Sequence, residues 1–221
     1  MSRSDNQPPQ SPFVEGLTMT SYTVGADALS RPRVLSDFVA PQVPAAVRTA
    51  VLVVAGAGLV GLLAQLSIPL PNTPVPVTGQ TFGVLTVGAV LGWQQAAMSM
   101  GLYLVAGGLG VPWFAKGGHG FGGASFGYIV GFLVAATVVG FIAGRGGDRT
   151  VPRTVATMLL GTLIIYAIGV PWLGHEIHVS FAKAWSLGAR PFFWGDAIKI
   201  GLAAGVLPGA WAVVRKVRGD S

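Results

Sequence analysis

Long stretches without a charged residue dominate the chain from residue 49 onward. No Asp, Glu, Lys or Arg occurs in 49–115, 117–144 or 154–175. An apolar helix needs about 20 residues, at about 1.5 Å each, to cross the roughly 30 Å hydrocarbon core of a membrane. The pattern therefore predicts an all-α membrane protein.

Six apolar segments are predicted to form the transmembrane helices of a compact bundle. They are residues 49–68, 80–91, 95–109, 125–144, 154–174 and 194–214. Four prolines between positions 69 and 76 end the first segment, because proline cannot continue a helix. The uncharged stretch 78–111 is too long for one crossing and short for two, so we divide it at Gly92-Trp93-Gln94-Gln95.

Basic residues cluster at three places along this pattern, and their positions predict the topology. They precede the first segment, separate the fourth from the fifth, and follow the sixth: Arg31, Arg33, Arg48, Arg145, Arg149, Arg153, Arg215, Lys216 and Arg218. Since cytoplasmic loops carry an excess of Lys and Arg, both termini are predicted to be cytoplasmic, in a bacterial-type inner (plasma) membrane. The loops 69–78, 110–124 and 175–193 then face outward.

The ends of the chain differ in composition from its middle. Residues 1–45 are rich in Ser, Pro, Gln and Asp, which predicts a polar, mostly disordered cytoplasmic tail. Within this tail, residues 34–43 are apolar enough to lie on the membrane surface. Residues 46–215 form the predicted transmembrane domain, and 216–221 a short basic C-terminal tail.

Composition also excludes several classes of function. Only 10% of residues are charged, against about 25% in soluble domains, and the basic residues flank apolar runs instead of forming one face, so no nucleic-acid partner is predicted. The chain has no cysteine, which excludes thiolate zinc sites and iron–sulfur clusters. The glycine-rich stretch 117–123 has no Walker ending, so the chain itself is not expected to hydrolyse ATP. No metal or cofactor is predicted.

Asp196 and Lys199 open the last apolar segment, three residues apart, and share one face of the predicted helix. Ionisable side chains in a membrane helix usually have a function, so this pair is a candidate ligand site. A structural interpretation is open as well. Lys199 can extend towards the membrane surface, and Asp196 can stabilise the start of the helix through the helix dipole.

Small residues recur every four positions in two of the segments. They are Ala197, Gly201, Gly205 and Gly209 in the sixth, and Gly127, Gly131, Ala135, Ala136, Gly140 and Gly144 in the fourth. Such stripes allow helices to pack closely, more often within the protein's own bundle than against a partner.

Four motifs in register connect the chain to a known family. They are PVPVTGQT at 74–81, FAKGGHG at 114–120, Gly127-Tyr128 with Gly131-Phe132, and GDAIK at 195–199. Together, over about residues 46–215, they resemble the BioY family of biotin-binding S components of energy-coupling factor transporters. Related members commonly carry Gly-Pro-Thr-Gly-Gly-Tyr before the fourth segment, where this chain reads GASFGY.

The resemblance implies a six-helix bundle, not an enzyme, that binds biotin near the outer surface under closing loops. It also implies docking in the lipid bilayer on a transmembrane coupling (T) protein bound to ABC-type ATPases, which alone would use ATP. Asp196 would accept hydrogen bonds from the ureido N–H groups, and Lys199 would donate to the ureido carbonyl or to the carboxylate. Further substrate-binding candidates are Gln80 as a polar anchor, Tyr128 as a hydroxyl and aromatic wall, and Trp113 and Phe114 as a cover for the apolar ring.

Several alternatives remain open at this point. Trp113 also suits the aromatic belt at the membrane interface, and Gln80 a helix cap. An intramembrane enzyme is disfavoured, because no His lies inside a predicted segment. The main functional alternative is a self-sufficient permease for biotin or another small vitamin.

Overall fold

The computed structural model describes residues 34–218, and this part of the chain is mostly helical. Its six helices are α1 (Ala45–Gln65), α2 (Gln80–Gly108), α3 (Phe126–Ala143), α4 (Val151–Glu176), α5 (Phe181–Gly188) and α6 (Phe193–Arg218). Two short strands, β1 (Ser67–Ile68) and β2 (Val77–Thr78), pair antiparallel, and 3-10 turns occupy Leu35–Phe38, Ala115–Gly117 and Arg190–Phe192. Most of the predicted N-terminal tail, residues 1–33, lies outside the described residues.

Four helical segments of the described chain are long and apolar enough to cross a membrane. They are Ala45–Gln65, Phe126–Ala143, Val151–Glu176 and Phe181–Val217. This confirms the prediction of a helical membrane protein with several spans.

Helix α2 is interrupted at Gly92, inside the predicted break, where the backbone takes φ 78° and ψ 170°. A straight helix would hold residues 80 and 103 about 35 Å apart. Instead, Nε2 of Gln80 lies 2.8 Å from the hydroxyl oxygen of Tyr103. The two halves, 80–91 and 93–108, therefore run in opposite directions, and only glycine adopts this left-handed extended conformation readily.

The reversal explains a difference from the predicted helix count. Five helices of the described chain have 18 or more residues, rather than six, because the two halves of α2 meet at a single residue without a loop. The position of the division follows the prediction. The number of membrane crossings stays a prediction.

Glycines bring α3 into close contact with its neighbours. A Cβ atom on Gly140 would lie 2.6 Å from backbone atoms of Gly92 and Trp93, and one on Gly131 would lie 3.1 Å from the backbone of Ile165. The predicted close-packing stripe of α3 is thus used inside the bundle. On α6, by contrast, a Cβ atom on Gly201 or Gly205 would meet no other atom within 4 Å, so this stripe faces away from the described bundle.

Three chain segments meet around Trp211 near the end of α6. Its ring packs edge-on against Phe38 at 6.2 Å, and the guanidinium of Arg149 lies 4.7 Å above it. Trp211 also donates a 2.7 Å hydrogen bond from Nε1 to the buried carboxylate of Asp148. Both ends of the described chain therefore lie at the same end of the bundle as the α3–α4 loop.

Candidate ligand-binding site

A cavity of about 290 Å³ lies at the opposite end of the bundle from Trp211. Its walls come from the proline-rich loop before α2, the loop between α2 and α3, the first turns of α3 and α6, and the middle of α4. Its volume is close to the lower end of the range for small-molecule sites, about 300–1,000 Å³. Of the six predicted site residues, five line it: Gln80, Phe114, Tyr128, Asp196 and Lys199.

Asp196 and Lys199 form the polar floor of this cavity. Lys199 Nζ lies 3.2 Å from Oδ1 of Asp196, one helical turn earlier, and 2.7 Å from the hydroxyl of Thr81 on α2. The hydroxyl of Tyr166, on α4, donates a hydrogen bond to the other oxygen of Asp196. The floor thus connects three helices, and Asp196 is only 6% exposed, so it is part of the cavity and not a surface residue.

A small void of about 10 Å³ continues beneath Lys199 between α2, α4 and α6. This is about the space of one water molecule. Leu85, Met158 and Ala203 close it from below, so the polar floor rests on apolar packing.

Gln80 is held in place by its own hydrogen bonds. Its amide donates to the hydroxyl of Tyr103, and its side-chain oxygen accepts from Thr78 at 3.1 Å. The ladder between β1 and β2 fixes Thr78, whose register partner is Ser67. Gln80 lines the cavity, with one of its N–H groups already used, and its role as a polar anchor stays a prediction.

Tyr128 presents its ring to the cavity but not a free hydroxyl. The hydroxyl donates a 2.8 Å hydrogen bond to the backbone carbonyl of Gly188, at the end of α5. This bond fixes α5, together with the following turn, next to the cavity, and Phe192 from that turn lines its wall. The ring can therefore serve as the predicted aromatic wall, which stays a prediction, whereas the predicted hydroxyl contact would require this bond to open.

The loop between α2 and α3, residues 110–124, covers another side of the cavity, and we call it the roof loop. Phe114 projects into the cavity, is 6% exposed and packs against Tyr103 with ring centres 5.2 Å apart. Trp113 points the other way, against Gly61 of α1, and its Nε1 donates to the carbonyl of Tyr103 at 3.0 Å. The structure therefore brings Phe114, and not Trp113, to the cavity.

Two floor residues were missing from the sequence prediction. Thr81 follows Gln80 directly within the PVPVTGQT motif, and its position beside a candidate residue was the available signal. Tyr166 is the single tyrosine in the uncharged stretch 154–175. A phenol in the middle of an apolar helix is a polar group in need of a partner, which is a recognisable signal for a site residue.

The remaining lining gives the cavity a mixed chemistry. Apolar side chains from α3 and α4 surround the floor, among them Ile129, Phe132 and Ile165. Lys116 and His119 of the roof loop add basic groups on the exposed side. The site can therefore accept an apolar ring that carries hydrogen-bond donors and acceptors at one end and an anionic group elsewhere.

The sequence profile of the BioY family matches residues 34–216. The chain belongs to the BioY family. This confirms the resemblance predicted from the four motifs. The match begins at the first described residue, so the segment 34–45 belongs to the family domain as well.

Relatives with assigned names agree with this membership. The chain is 38% identical over 143 residues to a protein of Pyrococcus horikoshii described as a probable biotin transporter BioY, covering 63% of this chain and 82% of that protein. It is also 38% identical over 144 residues to the biotin transporter BioY of Thermotoga maritima, covering 64% and 82%. Because these relatives are transporters, the prediction that the chain is not an enzyme is confirmed.

The fold has a counterpart among solved structures. The crystal structure of an S component for biotin, from an ABC transporter of the energy-coupling factor type, superposes with a TM-score of 0.66. The match covers 79% of this chain and 92% of that one at 24% identity. At this identity the likeness establishes the shared fold.

Proposed function

We propose that this BioY-family protein is the biotin-binding S component of an energy-coupling factor transporter and mediates biotin uptake. The observation that carries the proposal is the cavity floor, where an acceptor and a donor, Asp196 and Lys199, lie side by side under apolar walls. Biotin matches this arrangement, because its ureido group has two N–H donors and one carbonyl acceptor next to an apolar thioether ring. The relatives named biotin transporters support the same ligand.

In the proposed complex the carboxylate of Asp196 accepts hydrogen bonds from the ureido N–H groups. Lys199 donates to the ureido carbonyl or to the valerate carboxylate, and Gln80 adds a second polar contact. Phe114 and Tyr128 enclose the thioether ring. Trp113 contributes to this binding only by supporting the loop that carries Phe114.

Lys199 and Asp196 can both reach a ligand from the positions they hold in the floor. Lys199 is bonded to Thr81 and Asp196, and it keeps the bond to Thr81 when the ligand takes a place beside Asp196. Tyr166 and Lys199 each use one lone pair of the carboxylate, and its further lone pairs can accept from the ligand. A charge-assisted hydrogen bond is roughly twice as strong as a neutral one.

We further propose six membrane crossings, with each half of α2 counted once, and both termini on the cytoplasmic side of the plasma membrane. The contacts of Trp211 with Phe38 and Arg149 support this, because they gather both described ends and a basic loop at one end of the bundle. The cavity then opens outward. The partners are a transmembrane coupling protein and a pair of ABC-type ATPases, which supply ATP hydrolysis, and the chain itself uses no cofactor.

Uptake of labelled biotin tests the proposal in cells that lack their own biotin transporter and coupling proteins. We expect saturable uptake when the chain is expressed with a coupling protein and active ATPases, and loss of uptake when the ATPases carry an inactivating substitution. Equal uptake by the chain alone would contradict the S-component assignment and favour the self-sufficient permease. An Asp196→Asn variant expressed to the same level is the control for site-dependent uptake.

A further inference from the structure

The side chain of Gln65, the last residue of α1, holds the backbone of the roof loop. Its Nε2 lies 3.2 Å from the carbonyl oxygens of both Trp113 and Phe114, and 3.0 Å from that of Gly61 within α1. An amide has two N–H groups, so three carbonyls share them. Gln65 itself does not line the cavity, but Phe114, whose carbonyl it holds, does.

A second side chain holds the same point of the roof loop from the other side. The hydroxyl of Tyr103 donates to the carbonyl of Trp113 at 3.1 Å and accepts from Gln80, which lines the cavity. The indole of Trp113 in turn donates to the carbonyl of Tyr103. A continuous hydrogen-bond network therefore runs from the cavity wall at Gln80, through Tyr103 and the roof loop, to Gln65 on α1.

The position of Phe114 depends on this network together with the packing and backbone hydrogen bonds of the loop itself. The ring of Phe114 sits over Gly107, where any Cβ atom would collide with it. The loop then turns sharply at Lys116 and Gly117, which have φ angles of 60° and 71°, and a single bridge joins Phe114 to Gly118. Side-chain hydrogen bonds from Gln65 and Tyr103 thus hold the carbonyls of Trp113 and Phe114, while the N–H of Gly120 donates to the carbonyl of Gly107 at 2.8 Å.

We infer that Gln65 is a positioning residue for ligand binding. It keeps Phe114 over the cavity and links the occupancy of the cavity to the position of the end of α1. This inference rests on the proposed function and extends it to how the bound ligand is retained. Because α1 exposes an apolar outer face at Val51, Val54 and Leu62, it is the long helix least enclosed by the described bundle. Displacement of its end would loosen the roof, and by linkage a ligand that fixes the roof would fix the end of α1.

Gln65 does not contact the floor of the cavity. Replacing Gln65 should therefore change how long the ligand is retained more than how it is recognised. Replacing Gln65 by Leu removes the three hydrogen bonds at similar size. We expect labelled biotin to dissociate about three- to tenfold faster, the effect of losing one or two net hydrogen bonds, with association changed less. Tyr103→Phe, which removes the other support without touching α1, should act in the same direction.

The experiment measures biotin dissociation by chase, and amide hydrogen exchange of residues 113–118 without ligand, on the purified full chain. Gln94→Leu is the matched control, since Gln94 is exposed at the far end of the 93–108 half and away from the cavity. Faster dissociation and faster exchange in Gln65→Leu, with Gln94→Leu like the wild type, support the inference. Unchanged exchange in a folded Gln65→Leu protein, or equal effects in both variants, would overturn it.

Failure of the proposed function can be distinguished from failure of the inference about Gln65. If the wild type binds no biotin, the proposed function fails, whereas the ligand-free exchange rates still decide whether Gln65 holds the roof loop. If Gln65→Leu does not fold, Gln65→Glu replaces it, because an ionised carboxylate cannot donate to the carbonyls of Trp113 and Phe114. Exchange in Gln65→Glu as slow as in the wild type would overturn the inference as well.

Discussion

Tyr166 donates a hydrogen bond to Oδ2 of Asp196, and so connects α4 to the start of α6 across 30 residues of sequence. The other oxygen of the same carboxylate accepts from Lys199 at 3.2 Å. A buried carboxylate is costly unless its oxygens are paired, so both contacts stabilise Asp196 in its place. Tyr166 therefore orients the residue that we propose as the ureido acceptor.

Tyr166→Phe should weaken biotin binding while leaving the fold intact. The variant keeps the aromatic ring, which packs near Trp185 and Phe193, and removes only the hydroxyl. Loss of a hydrogen bond to a charged group costs about 1.5–3 kcal/mol, so the Kd should rise by about tenfold or more. Isothermal titration of the purified variant measures this, and a Kd equal to that of the wild type would show that Tyr166 does not position Asp196.

Lys199→Met should weaken binding by at least about 2 kcal/mol, because it removes a half-buried charged donor and leaves Asp196 without its ion pair. The matched control is Lys183→Met, since Lys183 is exposed on α5 and does not line the cavity. The comparison is made by equilibrium binding of labelled biotin. A change of only a few tenths of a kcal/mol for Lys199→Met would mean that Lys199 serves only to extend towards the membrane surface.

Gly188→Ala should displace α5 from its place beside the cavity. A Cβ at this position would collide with the hydroxyl of Tyr128, the group that bonds to the Gly188 carbonyl. We expect biotin affinity to fall at least severalfold, together with a lower thermal midpoint in detergent. Gly205→Ala is the control, because a Cβ there meets open space and alanine favours the helix, so it should leave both quantities nearly unchanged. Equal behaviour of the two variants would contradict the described packing of α5.

Asp148 makes the stability of the protein depend on pH. Burial raises the pKa of its carboxyl above the ordinary value, against the opposing effect of the hydrogen bond from Trp211. The folded state therefore binds this proton more tightly than the unfolded state. Its stability should fall as the pH rises from about 4, the ordinary carboxyl value, through the raised pKa.

Asp148→Asn isolates this contribution, since the amide oxygen can still accept from Trp211 and does not ionise. Between acidic and neutral pH, the thermal midpoint of the variant should fall less than that of the wild type. A difference between wild type and variant that stays constant over this range would contradict the role of Asp148.

Much of the helical layout follows from the sequence, because the bilayer imposes strong constraints on composition and length. The predicted segments 125–144, 154–174 and 194–214 agree with α3, α4 and α6 within four residues at each end. The break at Gly92 was also predicted, since a stretch of that length can neither stay in one helix nor form two full ones. The absence of a loop between the two halves was not predictable, because the chain reverses at the single residue Gly92, whose φ angle is positive.

Sequence was less informative about which polar groups meet in the site. Asp196 and Lys199 were found from their helical spacing, which is a local property. Thr81 and Tyr166 join them from two other helices, and such contacts depend on how the helices pack. The same limit applies to Trp113, whose direction is decided by its contact with Gly61 and not by the glycine-rich motif that follows it.

Equilibrium binding of labelled biotin to the purified, detergent-solubilised chain tests the central claim most directly, with wild type and Asp196→Asn measured side by side. We predict tight, saturable binding to the wild type that unlabelled biotin displaces. The variant, which has nearly the same shape, should lose most of this affinity while keeping its fold. No binding by a folded wild type, or equal binding by both proteins, would contradict the account.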